Sequence, residues 1–167
     1  FGKDTDATRT DRVLSAIALT VDGQDAQVIE VANTGKAYND MSAAEVKFVC
    51  AAGDRVTPSF NYSGSWMHGY VYIDLDNDKM FSFDATQNDQ TGTDLVSYSF
   101  YGVEDENSGY NSVGDFIEGN ARNTITCPTF VAPETPGEYR IRFKVDWNNV
   151  DAGGCVADNN HILNNGG

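Results

Sequence analysis

Apolar residues recur along this chain with a period of two, in short runs cut by turn residues, which is the pattern of half-buried strands. Val13, Ser15, Ile17, Leu19 and Val21 fall on one side of an extended segment that Asp22-Gly23 ends as a hairpin-type turn. Val28 to Val31 is a short apolar piece closed by Asn33-Thr34-Gly35. Val46, Phe48 and Cys50 alternate with Lys47 and Val49, and Gly53-Asp54 then turns the chain into Val56, Pro58, Phe60 and Tyr62. Gly69 to Ile73 is a β-branched and aromatic run, with Tyr70 and Tyr72 on one side and Val71 and Ile73 on the other. Val96, Tyr98 and Phe100 alternate with Ser97, Ser99 and Tyr101. Tyr139, Ile141, Phe143, Val145 and Trp147 alternate with Arg140, Arg142, Lys144 and Asp146, which predicts a strand with one apolar and one wet face.

No window of a dozen residues carries a helical stripe, and Ser42 to Glu45 offers a single turn at most. Pro133, Pro136 and Gly137 mark a bend before the last strand. The stretch from Tyr101 to Asn123, rich in Gly, Asn, Ser and acids, predicts a long surface loop. Together these signals predict an all-β antiparallel sandwich, jelly-roll-like, of about 7–9 short strands with almost no helix.

Length and charge narrow the picture. At 167 residues the chain predicts one domain over 1–167, and its 40% hydrophobic content suffices for a core. Its opening Phe1-Gly2-Lys3 and closing Asn164-Asn165-Gly166-Gly167 read as a piece excised from a longer protein and cut before a final strand. With 25 acidic against 11 basic residues the net charge is −14, which argues against nucleic-acid or anionic-membrane partners. No apolar run approaches the length of a membrane span. The three cysteines, Cys50, Cys127 and Cys155, form no C-x-x-C pair, and Cys50 is expected as a small core residue.

Two stretches bear on function. Asp74, Asp76 and Asp78 have the alternate spacing that opens many calcium loops, because alternate carboxylates in a tightening loop converge on one point. Lys79 stands where such a loop has its sharp-turn glycine and Ala85 where it has its bidentate glutamate, so further ligands are expected from Asp146, Asn148 or Asp151. The alternative is a solvated strand end capped by its own Asx side chains. Trp66, Tyr70 and Tyr72 precede this loop, and an exposed row of such rings is a surface on which sugars stack. Tyr101 and Tyr110 are further candidates for the same ligand. The alternative is that these rings fill the sandwich, as expected for Trp147 from its phase with Val145.

Catalysis finds little footing. A nucleophile–histidine–acid triad would have to use His68, and no nucleophile elbow or zinc-protease motif is present. A glycosidase would need two carboxyls facing one cleft, and Glu104-Asp105-Glu106 reads as a solvated cluster. The expectation is a protein that is not an enzyme. There is also an internal echo: Tyr70 to Asp78 resembles Arg142 to Asp151, each a strand running into an Asx-rich loop.

At Tyr70 to Phe81 (YVYIDLDNDKMF) and Pro136 to Gly153 (PGEYRIRFKVDWNNVDAG), the chain resembles secreted accessory modules found in surface lipoproteins and glycan-degrading enzymes of gut-dwelling Gram-negative bacteria. The first stretch is similar to GEVED-type β-sandwich domains, in which this strand runs into I-D-x-[ND]-x-D-G-x-F; Lys79 takes the glycine's place here. Thr10 to Leu14 and Trp66 to Gly69 carry the same resemblance. It implies a secreted, outer-surface or periplasmic module that recognises a glycan without acting on it. The alternative is a structural or adhesive spacer whose partner is a neighbouring domain of the parent protein.

Overall fold

The computed structural model describes residues 11–36, 38–45, 47–65, 67–82, 93–99, 111–116 and 122–147. Among them there is no helix. Eight strands are present: β1 Leu14–Val21, β2 Gln27–Glu30, β3 Arg55–Ser65, β4 Met67–Ile73, β5 Leu95–Ser99, β6 Arg122–Thr126, β7 Phe130–Val131 and β8 Ile141–Trp147. All pairings are antiparallel. One sheet runs β2-β1-β3-β6 with β7 also on β3, and the other runs β5-β4-β8. The described strands thus divide five against three and establish an all-β sandwich without specifying its jelly-roll variety. No helix among the described residues is long and apolar enough to cross a membrane.

The alternating pattern dictates which side chains enter the sandwich. Ile17, Leu19 and Val21 of β1 and Val56, Phe60 and Tyr62 of β3 meet Met67, Val71, Ile73 and Val145 of the facing sheet in one buried cluster. Each such side chain contributes roughly 1.5–3 kcal/mol by leaving water. Phe60 and Phe143 meet edge to face across the sheets at 5.7 Å and 75°. The β1–β2 hairpin turns at Gly23, whose φ of 77° lies in the left-handed region.

Pro58 sits within β3 although it has no N–H to donate. Its carbonyl accepts from Cys127 N at 2.9 Å, and it lies between the residues that pair with β7, up to Val56, and those that pair with β6, from Ser59. The missing donor therefore points into a gap between two ladders, where it breaks nothing. β3 and β4 are almost continuous but belong to different sheets. Gly64, at φ 111°, supplies a glycine-type bend just before the switch.

Five expectations need correction. Residues 47–50 form no strand, and Cys50 is exposed instead of buried. The Val49 amide donates to Gln27 Oε1 at 2.8 Å and Gln27 Nε2 to the Val49 carbonyl at 2.6 Å. A side chain thus takes the place of a backbone ladder there. In β5 the pairing slips between Val71 and Tyr72, so Val96 is the extra residue of a bulge. That puts Leu95 and Tyr98 with the tyrosines and turns Ser97 inward, where its hydroxyl donates to the Pro128 carbonyl at 2.7 Å. β8 begins at Ile141, not Tyr139, and Arg122 and Asn123 belong to β6 instead of a loop. The Trp147 backbone pairs with Met67; the expectation for its ring concerns a side chain outside the described set.

Candidate functional site

Every residue of β4 is buried. Met67, Gly69, Val71 and Ile73 face the sandwich, and Tyr70 and Tyr72 point to the opposite face of the three-stranded sheet. There they form a second cluster with Leu95, flanked by partly buried Phe81 and Tyr98. The two tyrosine rings stack at 6.5 Å, and Phe81 meets Tyr72 edge-on at 6.0 Å. Register with β8 places Lys144 opposite Tyr70 and Arg142 opposite Tyr72. Lys144 Nζ lies 5.1 Å from the centroid of the Tyr70 ring, and Arg142 Cζ lies 5.7 Å from that of Tyr72. Both are cation–π distances.

This arrangement corrects the open stacking platform at two of its positions. Tyr70 and Tyr72 are 0% exposed, so neither presents a face on which a sugar can lie. It also corrects the expected wet face of β8. Lys144 is 3% exposed, with its ammonium over the Tyr70 ring. Trp66, Tyr101 and Tyr110, the other proposed ligand-binding residues, lie outside the described residues. His68 is fully buried on the tyrosine side of β4, with no exposed imidazole to serve a triad. Glu104-Asp105-Glu106 lies outside the described residues.

The acidic corner follows directly from β4. Asp74 is anchored by its amide to the Arg140 carbonyl at 3.0 Å and is 1% exposed, while Asp76 and Asp78 face solvent. Carboxylate oxygens of all three lie within 4.8 Å of one another. Ionised groups at that separation repel by about 1 kcal/mol per pair even in a water-like dielectric. Asp74 Oδ2 accepts from the Lys79 amide at 3.1 Å. Asp76 Oδ1 accepts from the Asp78 amide at 3.2 Å and Asp78 Oδ1 from the Met80 amide at 2.7 Å, both Asx turns. Asn77 and Lys79 hold φ of 59° and 72°. The backbone therefore takes a left-handed, glycine-type conformation at a lysine.

A second buried acid, Asp94, shapes the same loop and carried no distinguishing signal in the sequence. Its Oδ1 accepts from the Leu75 amide at 3.0 Å, and its Oδ2 from the Ser82 amide at 2.6 Å and the Ser82 hydroxyl at 3.0 Å. Its backbone pairs with Ile73 and Ser82 as well.

The expected further ligands do not all converge on the corner. β4 and β8 run antiparallel, so Asp146 stands opposite His68 while Arg140 adjoins Asp74. Asp146 is therefore about six residues of strand away from Asp74, roughly 20 Å. The two echoing strands end, at Ile73 and at Trp147, on opposite ends of one sheet. Asn148 and Asp151 lie outside the described residues.

A groove of about 360 Å³ opens elsewhere, lined among others by Arg55, Asn111, Asp115, Thr126 and Thr129. Its Asn111 side chain is engaged by the Val113 and Asp115 amides at 3.1 and 3.0 Å. Comparison with known proteins returns no matching family model, curated relative or solved structure.

Proposed function

We propose that this domain is a non-catalytic structural module of a secreted or cell-surface protein, a spacer that carries its neighbours without a glycan ligand of its own. The observation that carries this reading is the sealing of Tyr70 and Tyr72 beneath Arg142 and Lys144. The two tyrosines of the row instead pack the outer face of the smaller sheet, and β4 is covered on both sides. A strand buried on both faces resists local opening, a property suited to a rigid spacer. The secreted location rests on the resemblance at Tyr70–Phe81 and Pro136–Gly153.

A second reading, glycan recognition, draws on the groove at Arg55, whose size falls within the range of small-ligand sites and whose lining is largely polar. A glycan array probed with the full chain, with and without calcium, separates the two. The spacer reading expects no specific signal. A glycan bound by the native chain overturns it, and loss of that signal in Arg55→Ala assigns the groove.

A further inference from the structure

We propose that the corner formed by Asp74, Asp76 and Asp78 is a binding site for a calcium-type divalent cation, with Asp74 as its buried ligand and Asp76 and Asp78 closing it from the solvent side. The proposal stands whether the module is a spacer or a glycan binder.

Two independent observations meet here. The first is convergence: one oxygen from each carboxylate falls within a 4.8 Å set. Oxygens on a common calcium ion can be at most about twice its 2.3–2.6 Å bond length apart, so this set fits calcium as it stands. Magnesium demands near-ideal octahedral geometry and gives up its waters reluctantly, which a corner with one buried and two exposed carboxylates favours less.

The second is an orphaned atom. Asp74 Oδ1 is buried and receives no hydrogen bond, although buried carboxylate oxygens are ordinarily satisfied. Asp94 serves as an internal comparison. It is buried at the same end of the sheet, 4% exposed against 1% for Asp74, yet both of its oxygens accept hydrogen bonds. The fold thus supplies donors to one buried carboxylate and leaves an oxygen of the other with none. Among the described residues no lysine or arginine forms an ion pair with the cluster. A hard cation with oxygen ligands supplies what the protein's own donors do not. It also cancels the repulsion among the three acids.

The test is calorimetric titration of the full chain with calcium chloride, and in parallel with magnesium chloride, after chelator treatment. A chain of charge −14 attracts cations diffusely, so stoichiometry and the response to substitution carry the decision. The expected result is one saturable site, with Kd of roughly 10⁻⁴–10⁻³ M for calcium as in extracellular modules, and magnesium weaker by about tenfold or more. Asp76→Asn and Asp78→Asn, both at exposed positions, should each raise that Kd by roughly tenfold because affinity follows ligand charge. Their melting temperatures in chelator should equal or exceed that of the native chain, because each removes part of the repulsion and keeps the Oδ1 acceptor of its turn, and Asp25→Asn should leave the Kd unchanged. Absence of a saturable calcium site up to about 10 mM overturns the proposal. So does a site whose affinity survives both substitutions.

Discussion

Gly69 in the middle of β4 lies against the ring of Phe60 in the opposite sheet. A Cβ built on Gly69 would stand 2.6 Å from Phe60 Cε2 and 2.7 Å from Cδ2, with Ile125 Cγ2 at 3.3 Å. Phe60 is itself fully buried and packed on Phe143, so its ring has nowhere to retreat. Gly69→Ala should therefore destabilise the domain by about 1–3 kcal/mol through overpacking. Urea denaturation reads this as a lower midpoint with an unchanged slope. A midpoint equal to that of the native chain would mean that the sheets are not held at this separation.

Asp94 staples the acidic loop to the end of the smaller sheet through three hydrogen bonds from Leu75 and Ser82. Replacing it with alanine leaves two backbone amides without their acceptor. The expected loss is about 3 kcal/mol, since hydrogen bonds to a charged acceptor and buried unmet donors both count. Urea denaturation of Asp94→Ala checks it, and a loss well under 1 kcal/mol would contradict the stapling role.

Lys79 holds a φ of 72°, where a Cβ costs about 1–2 kcal/mol. Glycine removes that cost but gains freedom in the unfolded chain, worth about 0.4–1 kcal/mol the other way. Lys79→Gly is thus expected to stabilise by about 0.5–1 kcal/mol, read as a raised melting temperature. A destabilised variant would show that the lysine side chain itself supports the loop.

Tyr62 carries a buried hydroxyl with no hydrogen-bond partner, and burial pushes its pKa from 10 up to about 12. Because the folded value is the higher one, the stability tied to the neutral phenol is complete below pH 10 and is lost as pH rises towards 12. The Cys127 thiol, raised by its burial, acts in the same direction. Tyr62→Phe should be neutral or stabilising by up to about 1 kcal/mol at neutral pH, as the orphaned hydroxyl is gone. It should also flatten the alkaline decline between pH 10 and 12. Melting temperatures across that range measure it, and an equally steep decline in the variant would refute the assignment.

Period-two alternation made much of the fold legible. It placed Ile17, Leu19, Val21, Val56 and Phe60 on the inner face and set Tyr70 and Tyr72 on the opposite side of β4 from Val71 and Ile73, all as observed. Alternation says which residues share a face, but not what lies over that face. Lys144 and Arg142, some 70 residues on, lie over the tyrosines through a register that no local pattern encodes. The same register removes Asp146 from the acidic corner. The convergence of Asp74, Asp76 and Asp78 was legible because it is local, fixed by spacing within one turn. Cys50 shows the converse: its stretch alternates well, but Gln27 meets it with a side chain, so no strand forms. The bulge at Val96 likewise reversed the burial phase of β5, and bulges leave little trace in a single sequence.

The sealed tyrosine row is the claim on which the functional reading rests, and tyrosine nitration of the folded chain, mapped by peptide mass spectrometry, tests it most directly. Tyr70 and Tyr72 should remain unmodified while the partly exposed Tyr139 reacts, and both should react once the chain is unfolded in urea. Nitration of Tyr70 and Tyr72 in the folded protein at the rate of Tyr139 would contradict the account and return the row to the surface as a candidate ligand platform.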